Sequence, residues 1–308
     1  MNLTDKIYVA GHRGMVGSAL VRRLQQGGFT NLVFKTHAEL DLTDGAQVRQ
    51  FFETEKPDHV FLAAAKVGGI WANQTQKGAF IHTNLLIQTH VIHESWRAGV
   101  QKLLFMGSSC IYPKLCPQPI DESYLMTGPL EASNDAYAVA KIAGIQQCRA
   151  YNQQYGTSFL SVMPTNLYGP GDTYDLENAH VLPALLRKCH EAKAAGSPTL
   201  TVWGSGNPFR EFLHVDDLAD AAVFLMGQPM THDLMNIGTG QDLSILDLAK
   251  TIQQVVGYSG TLVFDASKPD GTPKKQLNVD KLHALGWRHR IGLEEGLRRT
   301  YQDYLATL

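Results

Sequence analysis

Short apolar runs alternate with amphipathic stretches over the first half of this chain. Lys6-Ile-Tyr-Val-Ala10 predicts a strand, closed at once by glycines and followed by Ser18-Ala-Leu-Val-Arg-Arg-Leu24, which is apolar at helical spacing. The pattern recurs. Asn31-Leu-Val-Phe-Lys35 reads as a strand, Gly45 to Glu55 as a helix and His59-Val-Phe-Leu-Ala63 as a strand. A long helical stretch then starts at Phe80 and leads to the strand Lys102-Leu-Leu-Phe-Met106, and Ser158-Phe-Leu-Ser-Val-Met163 follows a further helix that carries Tyr137. Apolar strands joined by helices need both sheet faces covered, which predicts a parallel, doubly wound α/β sheet with its ligand at the carboxyl ends of the strands.

Past Pro164 the elements shorten to a helix near Val181 to Ala195, the run Leu200-Thr-Val-Trp203, a Gly/Pro turn, a helix from Asp216, and the stretch Ser244 to Val256. Residues 1–164 are therefore expected to form a nucleotide-binding domain, and residues 165–308 mainly a smaller α/β substrate lobe. His214-Val-Asp-Asp and Met235-Asn-Ile-Gly are the later segments able to return to the main sheet.

Composition narrows the partners. The 308 residues are 44% hydrophobic and 18% charged, enough for one large domain with or without an appendage. A net charge of -2 and no basic tract point to small molecules and away from nucleic acid. No apolar run approaches the about twenty residues of a membrane span, and Met-Asn-Leu-Thr-Asp leads into a strand without a signal peptide, so no membrane contact and a cytoplasmic location are expected. Cys110, Cys116, Cys148 and Cys189 lack zinc-type pairing and read as thiols, with no metal site.

The chemistry is concentrated in a few positions. Tyr137 and Lys141 are four residues apart on a helix and project from one face, where the ammonium would favour the phenolate and lower the phenol's pKa. A hydroxyl from Ser108, at a strand end, can hydrogen-bond the same substrate oxygen, which suits a carbonyl gaining or losing hydride. Gly11, Gly14 and Gly17 follow the first strand and open a helix, so a pyrophosphate can approach the backbone there. The second strand ends in Lys35-Thr36-His37 with no carboxylate, and Arg13 adds a second cation, which favours NADPH unless both are solvated surface charges. Asp41-Leu42 under an adenine, and Ala63-Ala64-Ala65 along a dinucleotide, compete with a helix cap and core filling.

Seven ordered segments go further: Gly11-His-Arg-Gly-Met-Val-Gly17, Val67-Gly-Gly69, Gly107-Ser-Ser-Cys-Ile-Tyr-Pro113, Pro164-Thr-Asn-Leu-Tyr-Gly-Pro170, Asn178-Ala-His-Val-Leu-Pro183, Val202-Trp-Gly-Ser-Gly-Asn-Pro208 and Lys268-Pro-Asp-Gly-Thr-Pro273. With them the chain resembles the extended short-chain dehydrogenase/reductase family over nearly its whole length, and within it the enzymes that epimerise and then reduce a GDP-linked 4-keto sugar. The resemblance implies a Rossmann-type fold, NADP as cofactor, a GDP-sugar as small-molecule substrate and a homodimer. It makes Ser108, Tyr137 and Lys141 the reductase trio and Cys110 with His180 an epimerisation acid/base pair, the thiol removing a proton and the imidazole supplying one. It also implies cofactor contacts from Gly11, His12, Arg13, Gly14, Met15, Val16, Gly17, Lys35, His37, Asp41, Leu42, Ala64, Met106, Gly107, Pro164, Asn166, Leu167 and His180. Lys188, Trp203, Arg210 and Asp270 become sugar-nucleotide contacts, with Lys188 standing where the family pattern favours Arg. On residue type alone a buried thiol, a structural histidine, core packing of Trp203 and a simple turn at Asp270 remain open.

Three rivals share the fold. A 4,6-dehydratase needs a carboxylic acid where Ser109-Cys110 stands, a 4-epimerase with tightly held NAD would want an acidic residue at Lys35, and a non-catalytic NADP-sensing protein would not need Tyr137 and Lys141.

Overall fold

The computed structural model describes residues 1–176, 179–268 and 270–308, with the side chain of Ile70 left aside. Asn178 and Pro269, each part of one of the seven segments, lie outside the described residues.

The first half runs β1 Ile7–Ala10, α1 Met15–Gln26, β2 Leu32–Val33, α2 Gly45–Glu55, β3 His59–Leu62, α3 Ile70–Thr75, α4 Lys77–Arg97, β4 Lys102–Met106, α5 Asp135–Tyr155 and β5 Phe159–Pro164. The second half runs β6 Asn166–Tyr168, α6 Val181–Ala194, β7 Thr199–Trp203, β8 Phe209–His214, α7 Val215–Gly227, β9 Leu234–Ile237, β10 Asp242–Ser244, α8 Ile245–Val256, β11 Thr261–Asp265, β12 Lys274–Lys275, α9 Asp280–Ala284 and α10 Leu293–Ala306.

A six-stranded parallel sheet, β2-β1-β3-β4-β5-β9, organises the molecule. Its strands are apolar on both faces because both faces are covered, and alternate residues sort to opposite sides. Tyr8, Ala10, Val60 and Leu62 pack with Phe52 of α2, Val91 of α4 and Ile145 of α5, while Ile7, Val9 and Phe61 pack with Leu20 of α1 and Leu218 of α7. Each fully buried Leu or Phe contributes about 1.5–3 kcal/mol on transfer from water, so this two-sided burial fixes strand register. The crossover direction reverses between β1 and β3, which leaves a crevice at their carboxyl ends.

The second half divides its elements. β9 pairs with β5 in the main sheet, and α7 packs beneath that sheet, so the Met235 segment does return. The His214 segment differs: His214 ends β8, which pairs with β6, β10 and β12 in a separate mixed sheet. A third core of Leu182, Leu186, Val202, Phe212, Leu248, Ile252 and Leu297 joins α6, α8 and α10 to that sheet and to the β7/β11 pair. Among the described residues, no helix is long and apolar enough to cross a membrane.

Most helices follow their sequence signals within three residues, and their starts differ in whether a side chain caps them. Asp44 accepts from the Ala46 and Gln47 amides to start α2, and Ser244 with Asp247 forms a reciprocal cap on α8. By contrast, α1, α5 and α6 start at Gly14, Asn134 and His180 with no side-chain cap.

Candidate active site

Backbone contact shapes the glycine turn. Gly11 has φ +84°, and a Cβ there would lie 2.8 Å from the Ala64 backbone, while a Cβ on Gly17 would lie 2.0 Å from the Gly11 carbonyl oxygen. The turn, the first turn of α1 and the Ala63–Ala64 segment are thus pressed together. With Gly14 giving no side-chain cap, the opening amides of α1 are free to meet an anion. Ala64 and Met15 flank this turn, and the His12 ring stacks on Phe34 at 5.0 Å.

β2 stops at Val33, so Lys35, Thr36 and His37 lie in the loop beyond it rather than inside a strand. Thr36 donates from its amide and its hydroxyl to Glu39, each at 2.7 Å, and these bonds hold the Glu39 carboxyl below its usual range, with Lys35 and Arg13 adding to the effect. Arg13 and Lys35 therefore converge on one place, as NADP binding demands. Glu39 was not legible as part of that cluster. Asp41 accepts from the Thr43 amide and hydroxyl at 2.8 and 2.7 Å, with His37 at 3.8 Å, while the Leu42 carbonyl faces His90. The cap of α2 is Asp44, which leaves Asp41 as a turn residue. A glycine cradle that a Cβ would fill, uncapped amides and two converging cations fit a phosphorylated dinucleotide.

Next to that turn, Met106 ends β4, and Gly107 donates its amide to the Val162 carbonyl at 2.8 Å. The Ser108 hydroxyl accepts from the Cys110 amide at 3.3 Å and so starts a single 3-10 turn through Ile111. Across from it on α5, the buried Lys141 ammonium donates to the Met106 carbonyl at 2.7 Å and sits 4.8 Å from the Phe105 ring and 5.8 Å from the Tyr137 ring. Tyr137 in turn meets Phe80 edge-on at 6.3 Å. Ser108, Tyr137 and Lys141 all border Cys110, but the electrostatics differ from the expectation. Burial pushes the Tyr137 phenol up, and the Cys110 sulfur adds to the rise, while burial brings Lys141 down to about 8. Burial sets the direction for both groups. A phenol that stays protonated at neutral pH is ready to donate, and Lys141 can stabilise the phenolate left behind.

Cys110 lines a pocket of ≈ 400 Å³ of empty space, counted out to its open mouth, together with Tyr112, Lys114, Glu131, Asn134 and Lys275. Burial raises the thiol, with Lys275 the largest opposing influence. His180 starts α6 at the surface, yet surrounding protein crowds its ring and lowers it, and Lys275 lowers it further. The resting pair is therefore thiol and neutral imidazole, the reverse of the protonation states that a thiol base and an imidazole acid start from. Lys275 escaped the sequence reading because Lys274-Lys275 looks like a solvated surface pair. Asn166 and Leu167 are on β6, where Asn166 donates to the Glu211 carbonyl at 2.8 Å, just past Pro164 at the end of β5.

The residues expected to meet a sugar nucleotide lie at the edge of the second lobe. Trp203 is 60% exposed, which rules out core packing, and the ammonium groups of Lys188 and Lys268 lie 4.5 and 5.3 Å from its ring. Arg210 donates to the Phe209 carbonyl, and burial lowers its guanidinium while Asp270 raises it. Asp270 is engaged by the Ser205 amide and hydroxyl at 2.7 and 2.8 Å, so its carboxylate also latches the Gly204–Gly206 turn.

Residues 7–238 match the family described as NAD dependent epimerase/dehydratase. Over 303 residues the chain is 59% identical to GDP-L-fucose synthase 1 of Arabidopsis thaliana, covering 98% of this chain and 94% of that protein. It is 55% identical over 311 residues to GDP-L-fucose synthase of Escherichia coli (strain K12), covering 98% and 97%. A crystal structure of a GDP-L-fucose synthetase from Naegleria fowleri bound to NADP superimposes with a TM-score of 0.93 at 32% identity, covering 100% of this chain and 94% of that one.

Proposed function

We propose, on the premise that the chain belongs to the NAD dependent epimerase/dehydratase family, that it converts GDP-4-keto-6-deoxy-D-mannose to GDP-L-fucose, inverting carbons 3 and 5 and then reducing carbon 4 at the expense of NADPH. The observation that carries this reading is a thiol set against the reductase candidates: the Ser108 hydroxyl accepts from the Cys110 amide, and the Cys110 sulfur raises the Tyr137 phenol. A plain 4-keto reductase has no use for that thiol.

The 4-ketone acidifies the protons on both neighbouring carbons. Cys110 removes one and His180 delivers its replacement from the opposite face, while hydroxyl donors on Ser108 and Tyr137 stabilise the enolate oxygen. Burial favours the uncharged form of each partner, so the thiolate and the imidazolium have to be generated within the site. The glycine turn with Arg13, Lys35 and the α1 amides would hold NADPH, which supplies the hydride for carbon 4 when bound. Tyr137 then gives its proton to the carbonyl oxygen, and Lys141 steadies the phenolate. Trp203, Lys188, Arg210 and Asp270 would hold the GDP portion. In this reading two copies pair through the helices that include the Tyr137 segment, and the enzyme works in the cytoplasm.

The test is turnover of GDP-4-keto-6-deoxy-mannose with NADPH in deuterated water. Loss of NADPH absorbance with deuterium at carbons 3 and 5 is expected. Reduction without deuterium there removes the epimerase half. Cys110→Ser should abolish the exchange and leave NADPH binding intact, and full exchange in that variant would place the base elsewhere.

A further inference from the structure

Three lysines line the Cys110 pocket, and two of them are already paired: Lys114 with Glu131 at 2.9 Å and Lys274 with Asp242 at 3.2 Å. Among the described residues Lys275 makes no ion pair within 4 Å, although it shares that pocket with the thiol. Its position is fixed from two sides. On one side β12 pairs with β8 so that Lys275 lies opposite Arg210, and the next buried residue, Leu277, donates its amide to the buried Glu211 carboxylate at 2.8 Å. On the other side, the segment after Lys275 is joined to the loop that begins at Cys110. Ile120 bridges to Leu277, its amide donating to the Gln276 carbonyl at 2.7 Å and its carbonyl accepting from the Asn278 amide at 2.8 Å. Tyr112, two residues past Cys110, donates to Asn236 at 2.6 Å, and Asn236 donates to the carbonyls of Ile120 and Asn278. Thiol and ammonium are thus carried by two segments locked to each other.

We propose that Lys275 is the counter-ion of the Cys110 thiolate during proton transfer, a positioning residue for the acid/base pair and not a member of it. This rests on the epimerase reading above. The thiolate appears in the catalytic cycle whether Cys110 takes the first proton or gives it, and either way a buried sulfur anion needs a cation. The groups that face Cys110 are Ser108 on its own turn, Tyr137 and Lys141 on α5, and Lys275 on β12; those that face Lys275 are Cys110, Cys116, Arg210, Glu211 and His180. Among the charges that offset burial, Lys275 is the strongest for Cys110 and Cys110 is the strongest for Lys275. Lys141 also favours the thiolate, but less than Lys275 does, and one of its ammonium protons is held by the Met106 carbonyl.

The experiment follows alkylation of Cys110 by iodoacetamide against pH, read peptide by peptide in NADPH-saturated protein, for wild type, Lys275→Met and Lys275→Arg. One unit of pKa changes the thiolate fraction tenfold, so Lys275→Met should alkylate about tenfold more slowly at neutral pH, with its midpoint displaced upward. Lys275→Arg should restore the wild-type profile, and deuterium exchange at carbons 3 and 5 should follow the same order. A Lys275→Met profile that coincides with wild type overturns the proposal, even if KM for the GDP-sugar rises, because Lys275 would then serve only the diphosphate. Failure of the underlying reading is separate, since there the wild-type protein exchanges no deuterium at all.

Discussion

The two sides of the cleft are built on different principles. The cofactor and reductase side stands on the interior of a parallel sheet: Gly11, Gly17 and Gly107 are held by backbone contact, and Lys141 is buried with its ammonium on a strand carbonyl. The side proposed to hold GDP stands on exposed edges, with Trp203 60% accessible between two lysines and Asp270 spent on latching a turn. The reductase candidates sit in the packed interior, and the recognition candidates where side chains can adjust to what arrives. Misplacing a group by an ångström costs far more in a reacting centre than at a stacking surface, which accounts for the division.

The contrast can be broken at its strongest point first. Tyr137→Phe removes the proton donor alone, so carbonyl reduction should fall by about 10²–10⁴ while deuterium exchange at carbons 3 and 5 falls far less; equal losses in single-turnover measurements would mean that the phenol serves the enolate as much as the hydride step. On the exposed side, Trp203→Ala should raise KM for the GDP-sugar about tenfold through lost stacking with kcat near wild type. A collapse of kcat there would show that the edge is as rigid as the interior.

A smaller effect comes from a group in neither half of the contrast. Burial pushes the Asp172 carboxyl up to about 7. A raised carboxyl binds its proton more tightly in the folded state, so its contribution to stability is complete below the unfolded pKa of about 4 and is lost as pH rises through about 7. Asp172→Asn should therefore raise Tm at pH 8 by about 5–10 °C and leave it nearly unchanged at pH 4. A uniform shift at both pH values would trace the effect to packing.

The same contrast decides what could be read in advance. β1, the glycine turn and the Tyr137/Lys141 pair were legible because their signals are local: a run of apolar residues, three glycines, a four-residue helical spacing. Lys275 was not, since its role depends on Ile120 meeting Leu277 across most of the chain. The short strands β6, β10 and β12 escaped for a related reason, being two or three residues long and only partly buried, so neither length nor alternation marks them. The Tyr137 phenol was misjudged in direction, because spacing reports the neighbouring ammonium and says nothing of how deeply both are buried.

The bridge between Ile120 and Leu277 also sets a timetable for synthesis. A ribosome releases the chain from Met1 onward, and the glycine turn, Ser108 and the Tyr137 helix are all made before residue 164. The sheet they stand on still lacks β9, and the Cys110 loop still lacks the segment around Leu277 that it is joined to. A nascent chain halted just before Leu277 would hold Ser108, Tyr137 and Lys141 and a Cys110 loop without the segment it is joined to, so that loop is among the last parts of the cleft to be fixed.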